Sequence, residues 1–159
     1  MIAQSNQYIA VLDTCVLAPM PLCDTLLRLA EDPAFYIPKW SAGIMRELRS
    51  TLQRVGYTPA QAERRIVAME SAFEDASVTG YECLVGAMTN DAKDRHVLAA
   101  AVRSGAHAIV TSNVKHFPAE SVRRYDIDLS PRMPSWCTSS ISTRNCSPKR
   151  WRTRHSPVE

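Results

Sequence analysis

Short apolar runs alternate with amphipathic segments along the first 130 residues of the chain. Four runs have the length and composition of buried strands: residues 8–12, 35–37, 108–111 and 127–129. In the remaining sequence, apolar side chains recur at helical spacing in four segments: residues 21–30, 42–55, 59–73 and 92–103. Strands that alternate with helices predict an α/β domain built on a central parallel sheet.

Capping and turn residues predict where several of these elements begin and end. Ser41 precedes the second helical segment and offers a hydroxyl to its first backbone N–H groups. Asn90 or Asp91 is expected to cap the last helical segment, and Gly105 is expected to end it. Pro38 is expected to end the second strand.

The overall composition fits one globular domain. The chain has 159 residues, of which 45% are apolar and 22% are charged, and this excludes wholesale disorder. Its longest uncharged apolar runs reach about half of the roughly 20 residues that span a bilayer, so we expect no membrane segment. The first basic residue is Arg28, so we expect no basic secretory leader. We therefore expect a cytoplasmic location. The five cysteines form no C-x-x-C pair, which argues against a disulfide framework or a cysteine-ligated zinc site.

Charge divides the chain into two parts. Residues 1–130 hold 13 basic and 15 acidic side chains, whereas residues 131–159 hold six basic residues and one acidic residue. The second part also contains no leucine but six serines and two tryptophans, without a helical or strand period. We therefore expect a domain over residues 1–130, followed by an atypical basic tail over residues 131–159.

Two interpretations of this tail stay open. The first is a disordered basic segment, which attracts nucleic acid without sequence preference. The second is a frameshift near Pro131, because back-translating residues 133–151 with permitted codons and reading one base earlier yields a coherent amphipathic string. Under the second interpretation the tail replaces native helices and carries no selected function.

Polar side chains follow or precede the predicted strands at the edge where parallel sheets bind ligands. Asp13 directly follows the first strand, Asn113 follows the strand at residues 108–111, and Asp91 and Asp94 begin the helix before that strand. Glu47 adds a carboxylate on an otherwise inward-facing helix. Each residue alone is explained by a cap, a turn or a solvated helix face. Together they suggest a cation site, because carboxylates that converge repel one another unless a cation holds them.

Four blocks of sequence resemble the PIN domain, in the bacterial branch that includes VapC-type toxins. They are I-A-V-L-D-T at residues 9–14, S-A-G-I-M-R-E-L at 41–48, D-A-K-D-R-H-V-L-A-A-A at 91–101 and I-V-T-S-N-V-K-H-F-P at 109–118. The resemblance covers about residues 8–130. It implies a three-layer α/β/α sandwich with a central, mostly parallel sheet. It also implies a metal-dependent endoribonuclease.

The resemblance assigns roles to individual acids. Asp13, Glu47 and Asp94 match the catalytic acids that hold the family's metal ion, Mg²⁺ or Mn²⁺. Asp91 matches a further acid of this branch, which assists in metal binding or caps the helix. Such an ion lowers the pKa of bound water and neutralises charge on the phosphate during RNA hydrolysis.

Other positions are assigned to supporting roles or depart from the family. Asn113 and His116 stand at the two places where the family often has a fourth acid, so one ion is expected rather than two. Asn113, Thr111 and Thr14 are expected to orient the acids or the substrate, and Arg95 is a candidate phosphate contact. His116 is interpreted as a surface residue rather than a ligand or a proton shuttle.

The leading functional expectation is an endoribonuclease toxin that acts on RNA. The family implies a cognate antitoxin that covers the acidic site, and a homodimer. The alternatives are an RNA-processing nuclease without an antitoxin, a non-catalytic module that binds RNA or protein, and an inactive truncated or frameshifted copy. An aspartyl-phosphate enzyme with Asp13 as nucleophile is disfavoured, because Cys15 stands where that chemistry needs a second acid.

Overall fold

Five short strands form a parallel sheet at the centre of the fold. The computed structural model describes residues 8–31 and 34–131. The strands are β1 (Ile9–Leu12), β2 (Ile37–Ser41), β3 (Ser77–Val78), β4 (Ala108–Val110) and β5 (Asp128–Ser130). Their order is β3-β2-β1-β4-β5, and every neighbouring pair is parallel. The predicted α/β fold on a parallel sheet is therefore confirmed.

Helices flank this sheet, as expected for the predicted sandwich. They are α1 (Thr14–Leu17), α2 (Met20–Ala30), α3 (Ala42–Arg54), α4 (Pro59–Ala72), α5 (Glu82–Val85), α6 (Arg95–Ser104) and α7 (Ala119–Arg123). Helix α6 packs against β1, β2, β3 and β4, and α3 packs against α1, α4 and α6. Three consecutive alanines of α6, at positions 99–101, are fully buried, and their small side chains suit close packing against the strands.

Local capping signals mark the starts of α3 and α4 and the end of α6. The Ser41 hydroxyl accepts a hydrogen bond from the N–H of Ile44 and begins α3. Thr58 and Gln61 exchange reciprocal bonds at the start of α4, a capping box. Gly105 ends α6 in the left-handed conformation with a φ of 63°. Val55, the last residue of the predicted helical segment, is the C-cap residue of α3 and is 64% exposed.

The expectation that Pro38 ends the second strand is wrong. Strand β2 runs from Ile37 through Pro38 to Ser41, and Pro38 is in register with Ala10 of β1. The Ile37 N–H donates to the Tyr8 carbonyl, so the nitrogen of the next residue points away from β1. On that other side β3 pairs only with the end of β2, at Trp40 and Ser41, so no ladder bond needs a Pro38 N–H.

The last predicted helix begins later than expected. Helix α6 starts at Arg95 with Asp94 as its N-cap residue, and the Asp94 side chain makes no capping hydrogen bond. The Asp91 side chain instead accepts from the N–H of Lys93, in the turn before the helix. Asp91 therefore lies in a turn and does not share a helix face with Asp94, and the Asp94 carboxylate is free for other contacts.

Several short elements carry no pattern in the sequence, namely α1, α5, α7 and β3. Within the described ranges, no helix combines the length and the apolar character needed to cross a bilayer. Residues 132–159 lie outside the described part of the chain. The division at residue 130 and both interpretations of the tail therefore stay predictions.

Candidate active site

A cleft of about 590 Å³ lies beside the ends of β1 and β4 and the start of α6. Its lining includes the predicted acids Asp13, Glu47 and Asp94, together with Thr14, Asn113 and His116. These residues come from distant parts of the sequence. Asp13 follows β1 and His116 follows β4, and the two residues reach the same edge because the carboxyl ends of these parallel strands point the same way.

Asp13 is held firmly at the base of the cleft. It directly follows β1, caps α1, and is only 2% exposed. Its Oδ1 accepts from the N–H of Thr14 at 2.7 Å, and its Oδ2 accepts from the Thr111 hydroxyl at 2.7 Å and from the Cys15 thiol at 3.1 Å. Three donors on one buried carboxylate fix its orientation.

Glu47 reaches the same cleft from α3 and is not a freely solvated residue. Its Oε1 lies 3.0 Å from Nε2 of His96, and its Oε2 accepts from the Thr14 hydroxyl at 3.2 Å. The hydrogen bond with His96 is the main cause that lowers the pKa of Glu47 below its ordinary value. His96 belongs to α6, so this contact ties α3 to the helix that follows Asp94.

Asp94 is the acid of the cleft whose pKa is raised. It is buried, and burial raises the pKa of its carboxyl group above the ordinary value. The negative charges of Asp13 and Glu47 act in the same direction, while the hydrogen bond from His116 opposes them. Each of the other two carboxylates thus acts electrostatically on Asp94. Such mutual repulsion favours a cation between them.

His116 belongs to this site, so its interpretation as a surface residue is wrong. A hydrogen bond of 2.6 Å joins its Nδ1 to Oδ2 of Asp94, and its side chain is half-buried, with 30% exposed. Its carbonyl also accepts from the N–H of Asp91 at 3.0 Å, which connects the two loops. Potential ligand atoms of Asp91, Asp94 and His116 all lie within 4.8 Å of one another. This is a grouping that could hold a metal ion, although Asp91 itself is exposed.

Of the residues expected in supporting roles, Thr111 contacts Asp13, whereas Arg95 lies outside the cleft lining. Thr111 is fully buried beneath Asp13, and its hydroxyl accepts from the N–H of Asn113 at 3.0 Å. Arg95, the candidate phosphate contact, is not part of the cleft lining, and its Nε donates to the carbonyl of Asn90 at 3.3 Å. The role of Arg95 as a phosphate contact therefore stays a prediction that its position outside the cleft lining does not support.

Cys15, which in the sequence stands only in place of a second acid, contacts the Asp13 carboxylate. Its thiol donates to Asp13, and its sulfur accepts from the N–H of Ser112 at 3.1 Å. Burial raises the pKa of the thiol, and the charge of Asp13 raises it further. Cys15 is therefore a neutral hydrogen-bond donor at the base of the site.

Three cations of the cleft were also missed. Arg46, Arg54 and Lys93 line it together with Ser50 and Thr51. A signal was present, because positions 46, 50 and 54 follow one another at four-residue steps on the helix that carries Glu47. The sequence does not show how α3 is rotated about its axis, so it cannot distinguish this row from an ordinary solvated helix face.

Comparisons with known proteins give three findings. The sequence pattern of the family described as the PIN domain matches residues 10–115. A curated protein of Mycobacterium tuberculosis, called VapC50 and named for a proposed ribonuclease activity, is 58% identical over 48 residues. The match spans 30% of this chain and only 28% of that relative's length.

The third finding is structural. The crystal structure of VapBC2 from Rickettsia felis, bound to a DNA fragment from the promoter, matches this fold with a TM-score of 0.53. The sequence identity is 18%, and the match covers 76% of this chain and 98% of the other. At that identity the match bears on the fold alone.

Proposed function

The chain belongs to the PIN domain family, and from this premise we propose that it is a divalent-metal-dependent endoribonuclease, the toxin of a VapBC-type toxin–antitoxin pair. The similarity to VapC50 supports this proposal over a short segment. The proposed domain is residues 1–130. An RNA substrate implies action in the cytoplasm.

One observation carries the proposal. Asp13, Glu47 and Asp94 are 34 and 47 residues apart along the chain, yet all three line one cleft. A buried carboxylate usually has a cationic partner, because an unpaired charge away from water is costly. Asp13 has three hydrogen-bond donors but no ion pair with any described residue.

The donor set fits a divalent ion. Asp13, Glu47 and Asp94 provide carboxylate oxygens, which suit Mg²⁺ and Mn²⁺. His116 and Asp91 lie beside Asp94 and add an imidazole nitrogen and a further carboxylate, a mixture that suits Mn²⁺ better than Mg²⁺. When bound, the ion would supply a water of lowered pKa and neutralise charge on a phosphate oxygen.

The chain's own residues would orient these ligands. Thr111 and Thr14 hold the two oxygens of Asp13 in place, and His96 holds Glu47. Partners of this kind commonly change metal affinity or activity by 10- to 100-fold on removal. Asn113 lines the cleft next to Thr111 and would offer its amide to the substrate.

A nuclease assay tests the proposal. The full-length chain is incubated with single-stranded RNA and either Mn²⁺, Mg²⁺ or EDTA. Cleavage is expected with the metals, and Asp13→Asn or Asp94→Asn should reduce it at least 100-fold, while Glu120→Gln, an exposed acid outside the cleft, should not. Cleavage that persists in both aspartate variants would refute the assignment.

The non-catalytic binding module is the second candidate. It is favoured by Asn113 and His116, which stand where the family often has an acid. RNA binding without cleavage under all metal conditions would support it. A parallel assay on a version with the alternative reading frame after residue 130 tests whether the present chain is an inactive copy.

The cognate antitoxin and the homodimer are also part of the proposal. Co-expression with the small gene upstream, where one exists, should suppress the cleavage. Size-exclusion chromatography with light scattering reports the oligomeric state.

A further inference from the structure

A row of positive charge runs along α3 on the side that faces the cleft. Arg46 and Arg54 lie eight residues apart on this helix, a distance of about 12 Å at 1.5 Å per residue. The hydroxyls of Ser50 and Thr51 lie between them, and Lys93 lies in the turn that precedes α6. All three cations are exposed.

None of these cations forms an ion pair with a residue that the structure describes, in contrast to Arg49. Arg49, on the same helix, forms two hydrogen bonds with Glu63 of α4, at 2.7 and 3.3 Å. Over residues 8–31 and 34–131, no ion pair involves Arg46, Arg54 or Lys93. Cations that line the same cleft as Asp13, Glu47 and Asp94, with no ion-pair partner among the described residues, favour an anionic ligand that reaches the cleft.

We propose that Arg46, Arg54 and Lys93 bind successive phosphates of one single-stranded RNA, and thereby place a phosphodiester beside Asp13 and Asp94. This inference rests on the proposed function and extends it to substrate binding. The distance from Arg46 to Arg54 exceeds one nucleotide step, which is about 3.4 Å of axial rise per strand in a duplex. The row is therefore long enough to contact two phosphates of one strand.

The chemistry of the cleft favours recognition of the RNA backbone over the bases. Serine and threonine hydroxyls and basic side chains are typical phosphate and sugar contacts. Base recognition in single strands relies on aromatic rings, and apart from the His116 imidazole the described lining of the cleft contains no ring side chain. The row is therefore expected to bind RNA with little base preference and strong salt dependence.

Fluorescence anisotropy of a labelled single-stranded RNA, titrated with the full chain in EDTA at several salt concentrations, measures these contacts without turnover. Each phosphate contact contributes about 0.7 to the slope of log affinity against log salt for a single strand. Arg46→Gln and Arg54→Gln should each reduce this slope by about 0.7, and the double variant by about 1.4. Arg49→Gln removes the same charge from the same helix and should leave the slope unchanged.

Two outcomes would overturn the inference. One is an equal loss of slope in the Arg49 control, since net charge would then explain the effect. The other is competition by a polyglutamate peptide at the same charge concentration as RNA, because the row would then serve an acidic protein. Circular dichroism of each variant checks that the fold is kept.

The two proposals fail separately. Slopes that change as expected in a chain without cleavage support the binding row and refute the nuclease. Metal-dependent cleavage with unchanged slopes refutes the row alone.

Discussion

A methyl group added at Gly43 would collide with the imidazole that holds Glu47. Gly43 lies in the first turn of α3, and a Cβ there would stand 2.9 Å from Nδ1 of His96 and 3.2 Å from the hydroxyl of Tyr81. Ordinary van der Waals contact begins at 3.4 Å, so the ring must move by about 0.5 Å. The Gly43→Ala variant is therefore expected to displace His96.

The displacement acts mainly on the site and less on stability. The bond between His96 and Glu47 is 3.0 Å long, and a shift of about 0.5 Å brings it to the limit of a hydrogen bond. Because the Glu47 side chain is 44% exposed, breaking this hydrogen bond should lower the free energy of unfolding by about 1 kcal/mol or less. A buried hydrogen bond to a charged group would contribute more, about 1.5–3 kcal/mol. Alanine regains about 0.5–1 kcal/mol in a helix, so net stability should hardly change. Affinity for Mn²⁺ should fall 10- to 100-fold.

Calorimetric titration with Mn²⁺ and urea unfolding measure the two quantities on the same samples. Gly86→Ala is the matched control, because a Cβ there meets no atom within 4 Å and its φ of −66° suits alanine. The ¹⁵N chemical shifts of the His96 ring report the displacement without metal. A Gly43→Ala protein with unchanged ring shifts and Mn²⁺ affinity within twofold of the parent would refute the reasoning.

Three further predictions concern the base of the site. Thr111→Val removes one of the three hydrogen-bond donors to the buried Asp13 carboxylate, and we expect the free energy of unfolding in urea to fall by about 1–3 kcal/mol; an unchanged midpoint would contradict this. Asp94→Asn should stabilise the metal-free fold at neutral pH, because burial raises the pKa of Asp94 and ionisation therefore disfavours the folded state. The stability of the parent should fall as the pH rises from the ordinary aspartate pKa to the raised pKa of Asp94. Below this pH range the Asp94→Asn variant should therefore be no more stable than the parent. Unfolding midpoints across pH 3–8 test this, and a variant less stable than the parent at pH 7 would contradict it. Iodoacetamide should label exposed Cys83 well before Cys15, whose thiol stays neutral; mass mapping that finds the reverse order would exclude this account.

Sequence patterns predicted the elements whose ends are set by neighbouring residues. Helix α3 begins directly after Ser41 because the Ser41 hydroxyl accepts from a backbone N–H three residues on, and this contact is local. The path of β2 through Pro38 depends on which neighbouring strand each N–H faces, and the start of α6 depends on the turn around Asp91. Such features follow from tertiary structure, and no local pattern contains them.

The candidate site also combines features that the sequence predicts with features that depend on tertiary structure. The convergence of Asp13, Glu47 and Asp94 on one cleft followed from the family resemblance, since strand ends and motif order place them together. The contact of His116 with Asp94 depends on the conformation of two loops, and the row on α3 depends on how that helix is rotated. A histidine in a loop and arginines on an amphipathic helix carry no such information in the sequence.

The central position of β1 has a consequence for the rigidity of the acid that follows it. Two strands lie between Asp13 and either border of the sheet, and the Asp13 N–H itself donates to Val110 of β4. Fraying at β3 or β5, the process by which sheets open locally in hydrogen exchange, leaves these inner bonds intact. Asp13 therefore remains preorganised during such fluctuations, and a ligand that binds there loses little affinity to the entropy of ordering the backbone.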